Sequence, residues 1–185
     1  MAEPDHLDRI AAQWRRERPD LDVEPLAILG RLLRVAQLAD RALAAQLSAF
    51  DLQPGWFDLL AALRRSGEPY ELNPTELMSA TMLTSGGVTK RLDRLAEAGL
   101  VERRPDPNDR RGTLVRLTRK GRTVIDKAVE AHVSNEARLL EALEPAERRA
   151  LDALLRSLLA GLAVAVILVA TACGSAGSTT STRRS

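Results

Sequence analysis

At 185 residues the chain is long enough for one domain with a sizeable core and too short for two comfortable ones. Hydrophobic residues make up 45% but aromatics only 3%, so Leu and Ala, both strong helix formers, must carry much of a core with little strand. The single cysteine, Cys173, excludes an intramolecular disulfide and a Cys-rich zinc site, and charges throughout residues 1–22 exclude an N-terminal secretory signal, so a cytoplasmic protein is expected.

Residues 6–17 read as a short helix ending before Pro19. Across residues 24–50, Leu26, Leu29, Leu33, Ala36, Leu43, Leu47 and Phe50 recur at helical spacing, which predicts one long amphipathic helix. Pro54 suits the first turn of the next helix, carrying Trp56, Leu59, Leu60 and Leu63 and ending at Ser66-Gly67. Residues 69–72 suffice only for an edge strand. Asn73-Pro74-Thr75-Glu76 has the form of a capping box, so a helix of about two turns is expected to reach Met82. Thr84 or Ser85 then caps a helix running to Ala98, and Gly99 followed by apolar Leu100 is the pattern of a Schellman stop.

Two strand-like runs, residues 101–104 and 113–117, flank a stretch full of turn formers, which predicts a β-hairpin with a long basic tip. Thr118 caps a long helix through Leu143, with Val129, Val133 and Leu140 on one side. Glu144-Pro145-Ala146-Glu147 opens a last helix carrying Leu151, Leu154, Leu155, Leu158 and Leu162. The fold class is therefore mainly α with a small β-hairpin wing: a winged helix-turn-helix flanked by long helices. Their spare apolar faces suit a twofold homodimer. The expected divisions are residues 1–50 (dimerisation), 51–122 (DNA-binding), 123–161 (dimerisation) and 162–185 (an atypical apolar, then disordered tail).

Charge is distributed unevenly. Residues 84–122 hold eleven basic and five acidic side chains, a net +6, which leaves −4 for the rest of a chain whose total is +2. A local positive field suits a polyanionic partner, although a solvated basic surface has the same composition. On the helix after Thr84, Val88, Leu92 and Leu95 share one face and form its core anchor. The opposite face presents Gly86, Gly87, Lys90 and Arg94, with Thr89 and Arg91 at its flanks, and Ser85 at its start joins Gly86, Thr89, Lys90 and Arg94 as a candidate DNA contact. Small residues at its N-terminal end permit close approach to phosphates and base edges, and free N–H groups there attract phosphate. Two adjacent glycines inside a helix cost roughly 1 kcal/mol each, which favours a functional reason for them. Arg110 and Arg111 at the hairpin tip suit a narrow minor groove. Asp109 is expected to hold the turn rather than face phosphate.

Leu92-Asp93-Arg94-Leu95, Gly99-Leu100-Val101-Glu102-Arg103, Asp109-Arg110-Arg111-Gly112, Val115-Arg116-Leu117-Thr118 and Gly121 together resemble the wing signature of the MarR family. The family's Asp-x-Arg-Gly motif falls on Asp109, Arg111 and Gly112, with Asp109 and Gly112 as structural support of the wing. The resemblance covers about residues 10–161, including a Trp-Arg-Arg-Glu-Arg-Pro opening typical of some members. It implies a triangular homodimer gripping a pseudo-palindromic operator in double-stranded DNA. It also implies, for many members, release by a small aromatic ligand or an oxidant. The reactive N-terminal cysteine of peroxide-sensing members has no counterpart, and His6 and His132 are too isolated for a zinc site. No cofactor or metal is expected. A small-molecule cleft near Trp56, Phe57 and Tyr70 competes with ordinary core packing for those aromatics.

Residues 157–182 carry no charge, and residues 158–173 form an apolar run of roughly 24 Å as a helix, short of the ~30 Å bilayer core. Val169-Ala170-Thr171-Ala172-Cys173-Gly174 resembles a lipoprotein cleavage site, misplaced behind a folded domain. Three readings stand: a longer final helix buried at the dimer interface, a membrane anchor, or a fusion or read-through. The second makes a membrane-tethered regulator the alternative function. An enzyme is not expected, since no phosphate loop, dinucleotide glycine pattern, metal spacing or Ser/Cys–His arrangement occurs.

Overall fold

A computed structural model describes residues 3–81, 87–107, 109 and 112–175, the last eleven of these by backbone alone. The described elements are α1 (His6–Glu17), α2 (Glu24–Leu47), α3 (Pro54–Arg65), β1 (Glu71–Leu72), α4 (Pro74–Ser79), α5 (Val88–Glu97), β2 (Val101–Pro105), β3 (Thr113–Leu117), α6 (Arg119–Leu139) and α7 (Pro145–Ser175). One unit runs through Arg138 and a second starts at Leu139.

The first unit is the winged helix-turn-helix with the two helices that precede it and the one that follows. Its three strands lie in the order β1-β3-β2, all antiparallel, so the two-residue β1 is an edge strand as expected. On β3, Val115 and Leu117 point into the core while Leu114 and Arg116 face outward, the alternation of a half-buried strand. The core gathers Leu47 of α2, Leu59, Leu60 and Leu63 of α3, Leu77 of α4, Leu95 of α5, Val115 and Ile125. Aliphatic helix faces thus fill the interior, as a chain poor in aromatics requires. A smaller cluster of Ala11, Val23 and Ala27 ties α1 to α2.

Local chemistry sets the element boundaries. Asp5 caps α1 through a reciprocal box with Asp8, and Arg31 of α2 bonds both carboxylates. The box expected at α4 is present: Asn73 Oδ1 accepts from the Glu76 N–H, and Glu76 Oε2 accepts from the Asn73 N–H, both at 2.9 Å. At the end of α5, Gly99 takes φ +69°. The Gly99 N–H donates to Ala96 O and the Leu100 N–H to Leu95 O, the two bonds of a Schellman stop.

Several boundaries differ from expectation. The helix from Glu24 ends at Leu47, and residues 48–50 tighten into a 3₁₀ turn closed by Asp51 in the left-handed region. The α4 helix stops at Ser79 because Ala80 is already its C-cap, and Met82 lies outside the described residues. The α5 helix starts at Val88 with Gly87, at φ +104°, as its N-cap. Gly87 therefore serves a backbone turn ahead of the helix, and the argument from glycines inside a helix does not apply to it. Thr84, Ser85 and Gly86 lie outside the described residues. The α6 helix ends at Leu139, not Leu143, where the Leu143 N–H instead closes a turn on Leu140 O.

Not all of the apolar face predicted on α2 is covered. Leu47 is 1% exposed, but Leu33 is 69% and Val35 63% exposed, with Ile28, Leu29 and Leu38 also open. In the second unit α7 begins at Pro145, with Glu147 accepting from the Glu144 N–H, and stays helical for 31 residues to Ser175, well past Leu162. Among the described residues no helix is long and apolar enough to cross a membrane, so the tethered reading gains no support.

The tightest backbone approach joins α6 to the turn after α5. A Cβ at Gly121 would collide with the carbonyl of Leu100, which is backbone and cannot swing away. Gly121→Ala is therefore expected to lower stability by about 1–3 kcal/mol, read as a lower urea midpoint. A midpoint equal to wild type would contradict this approach.

Candidate nucleic-acid interface

The α5 helix is anchored by one face and offers the other. Val88, Leu92 and Leu95 are buried, while Thr89, Lys90 and Arg94 are exposed, as the helical spacing predicts. Thr89, Lys90 and Arg94 thus form the outward surface of a ten-residue helix. Arg94 is held at 2.9 Å by Glu97, one turn on. Both partners are well exposed, so this pair is weak and easily exchanged for a stronger anion. Arg91, on the flank, is half-buried and runs beneath the first turn of α3, where a Cβ at Gly55 would stand 2.8 Å from its Nε. Arg91 is less exposed than Lys90 and Arg94, although it lines a shallow hollow with both.

The wing lies beside this helix because one ion pair and the sheet place it there. Arg103 of β2 donates to Asp93 of α5 at 2.7 Å, joining hairpin and helix directly. The ladder from Val101↔Leu117 to Pro105↔Thr113 is extended by the Asp106 N–H donating to Gly112 O at 3.1 Å. The turn is closed by the Gly112 N–H donating to Asp109 O at 2.8 Å. A Cβ on Gly112 would stand 2.9 Å from Asp106 Cβ and 3.1 Å from Asp109 Cβ, so the fold of this loop leaves room only for glycine. Arg110 and Arg111 lie outside the described residues, as do Ser85 and Gly86.

Residues that sequence reasoning did not single out hold the helix from behind. Arg65 at the end of α3 donates to the carbonyl of Ala80, the C-cap of α4, and so pins the turn between α4 and α5 from one side. At the other end of α5, Lys120 Nζ donates to Ala98 O at 2.8 Å and the Thr118 hydroxyl donates to Gly99 O at 2.7 Å. The Thr118 oxygen also accepts from the Gly121 N–H. The cap at Thr118 was legible; its second role across the turn was not, since it depends on a residue nineteen positions away.

Behind α5, Asp58 of α3 sits among cations. Burial pushes its carboxyl above the ordinary carboxylate value, and the fields of His132, Arg65 and Arg91 pull it back. His132 stacks against Phe57 with ring centroids 4.4 Å apart. A cleft of about 700 Å³ opens there between α3 and α6, lined by Phe57, Ala61, Arg65, Val129, His132 and Val133 among others. Trp56 and Tyr70 pack against the core, and Tyr70 lies between the guanidiniums of Arg64 and Arg122, 5.0 and 4.7 Å from its ring centre. The aromatics expected near one cleft are thus divided among three: Phe57 lines this one, Tyr70 a hollow beside Arg119 and Arg122, and Trp56 a hollow beside Lys90 and Arg94.

Known proteins share this arrangement. A family model described as MarR family matches residues 50–112. The chain is 45% identical over 146 residues to the HTH-type transcriptional regulator PecS of Dickeya dadantii, covering 79% of this chain and 88% of that one. Among solved structures, a mutant MarR of E. coli complexed with operator DNA aligns with a TM-score of 0.65 at 33% identity, covering 74% of this chain and 97% of that one. BpsR of Bordetella bronchiseptica, solved to explain regulation of its DNA binding by 6-hydroxynicotinic acid, aligns with a TM-score of 0.62 at 30% identity, covering 70% and 91%. With an exposed basic helix anchored beside a hairpin, and with relatives matching across most of both chains, the chain belongs to the MarR family of winged-helix, DNA-binding transcriptional regulators.

Proposed function

We propose that the protein acts in the cytoplasm as a homodimer on a pseudo-palindromic operator. Each α5 enters a major groove through Thr89, Lys90 and Arg94, joined by Ser85 and Gly86 of the segment that precedes it. Each wing tip reaches the adjoining minor groove through Arg110 and Arg111, with Asp109 and Gly112 shaping the turn. The observation that carries this reading is the division of α5 into a buried Val88–Leu92–Leu95 face and an exposed Thr89–Lys90–Arg94 face beside the wing. Cations on the outward face supply non-specific attraction to phosphate, and a helix of this width fits the major groove. The uncovered leucines of α2 favour a twofold partner, since a self-complementary apolar face is the usual basis of such dimers.

Release by a small aromatic ligand completes the proposal. The α3–α6 cleft combines apolar walls and the Phe57 ring with both charges, Arg64 and Arg65 against Asp126 and Glu130, a set suited to an aromatic molecule with a polar substituent. The small-molecule regulation described for BpsR supports the same reading.

Lys90→Ala, Arg94→Ala and Arg111→Ala are each expected to weaken binding to the promoter of the protein's own gene by about tenfold, within the ~1–3 kcal/mol of a lost contact. Affinity should fall steeply with salt, and the Lys90 variant should show a shallower salt slope as one phosphate contact is lost. Electrophoretic mobility or fluorescence anisotropy at two ionic strengths reads both. Variants that bind like wild type, or affinity indifferent to salt, count against this interface. Titrating a panel of small aromatic acids into the preformed complex should release DNA for at least one member, and Phe57→Ala should blunt that response. A panel without effect removes the ligand from the proposal and leaves DNA binding intact.

A further inference from the structure

The C-terminal end of α5 is gripped by the first turn of α6 at three consecutive carbonyls. Lys120 Nζ bonds Ala98 O at 2.8 Å, Thr118 Oγ1 bonds Gly99 O at 2.7 Å, and the Thr118 N–H bonds Leu100 O at 3.1 Å. The Ala98 carbonyl is the C-cap of α5, at the negative end of the helix where a cation is favoured, and those of Gly99 and Leu100 belong to the turn that leaves it. Gly121 then closes on Leu100 without space for a methyl group, so α5 and α6 move as one body at this joint. From there α6 continues for 21 residues, about 31 Å, and bonds α2 near its far end, where Asn135 Nδ2 donates to Ala42 O at 3.4 Å.

We propose that Thr118 and Lys120 are positioning residues that fix the angle between the reading helix and α6, and through it the half-site spacing that the dimer accepts. The inference rests on the dimer-on-operator reading. Lever arithmetic gives it force. A tilt of about 6° at the joint displaces the far end of a ~31 Å helix by ~3 Å, close to the ~3.4 Å rise of one base pair. A loosened clamp therefore offsets the rise of an added base pair, though not the roughly 34° rotation that comes with it, and so softens the penalty for altered spacing without abolishing it.

The test uses the full-length protein and an operator that wild type selects from a random duplex pool. Dissociation constants are measured for that operator and for versions with one base pair inserted or removed between half-sites. Thr118→Val and Lys120→Met are expected to lower the preference for the selected spacing by about two- to thirtyfold, the range of energetic couplings carried through packed joints. Thr118→Ser, which keeps the hydroxyl, should restore it. The salt slope of Lys120→Met should equal that of wild type, because the ammonium binds a carbonyl and not a phosphate. Lys120 is exposed at its tip, so this variant remains informative if Thr118→Val fails to fold. A spacing preference unchanged in Lys120→Met overturns the proposal. So does a salt slope shallower by about one, which would make Lys120 a direct phosphate contact. Wild-type protein that selects no duplex at all would overturn the operator reading itself, a result distinct from either.

Discussion

The close approach of Gly121 to the Leu100 carbonyl governs the winged part of the first unit. It brings together the end of α5, the beginning of β2 and the beginning of α6 within one turn of chain. The Schellman stop at Gly99 turns the backbone sharply enough for Val101 to enter the sheet, and the hydroxyl of Thr118 seals the same turn from the far side of the hairpin. A side chain at position 121 would push these three elements apart together. Packing so tight transmits strain instead of absorbing it, so α5 inherits its orientation from the interior and not from the solvent side.

Electrostatics follow from that placement. Of the basic side chains near α5, Arg103 is used in the pair with Asp93, Arg91 is tucked against α3, and Lys120 is turned back onto a carbonyl. Lys90 and Arg94 remain on the open face, Arg94 in an exposed pair with Glu97 that an anion can replace at small cost. A count of positive charge overstates the surface offered to a polyanion, because several of those cations are structural. Their positions relative to the buried Val88, Leu92 and Leu95 decide which ones face outward.

Much of this was legible in the sequence because it depends on short spacings. The Asn73–Glu76 box, the Gly99-Leu100 stop and the Thr118 cap each involve residues at most five apart, and all three are present. The buried face of α5 and the alternation of β3 follow from single periodicities and are likewise observed. What escaped notice acts across long separations: Arg65 on the Ala80 carbonyl, Lys120 on Ala98, and the packing of Arg91 beneath Gly55. Helix starts and ends were less secure than helix existence. Gly87 reads equally well as a residue inside α5 or as the left-handed turn before it, and only its φ of +104° decides. The family signature marked Thr118 and Gly121 without giving a reason for either; the joint between α5 and α6 supplies one.

The uncovered stripe along α2 has a thermodynamic corollary. Ile28, Leu29, Leu33, Val35 and Leu38 hold water against hydrocarbon, at a cost near 25 cal/mol for each Å² left wet. Under the proposed dimer, a second copy that hides them stabilises the fold by mass action, and thermal tolerance then rises with the concentration of the chain itself. Low-level synthesis then acts as a stress on the fold, and the intracellular concentration becomes part of what keeps each molecule intact.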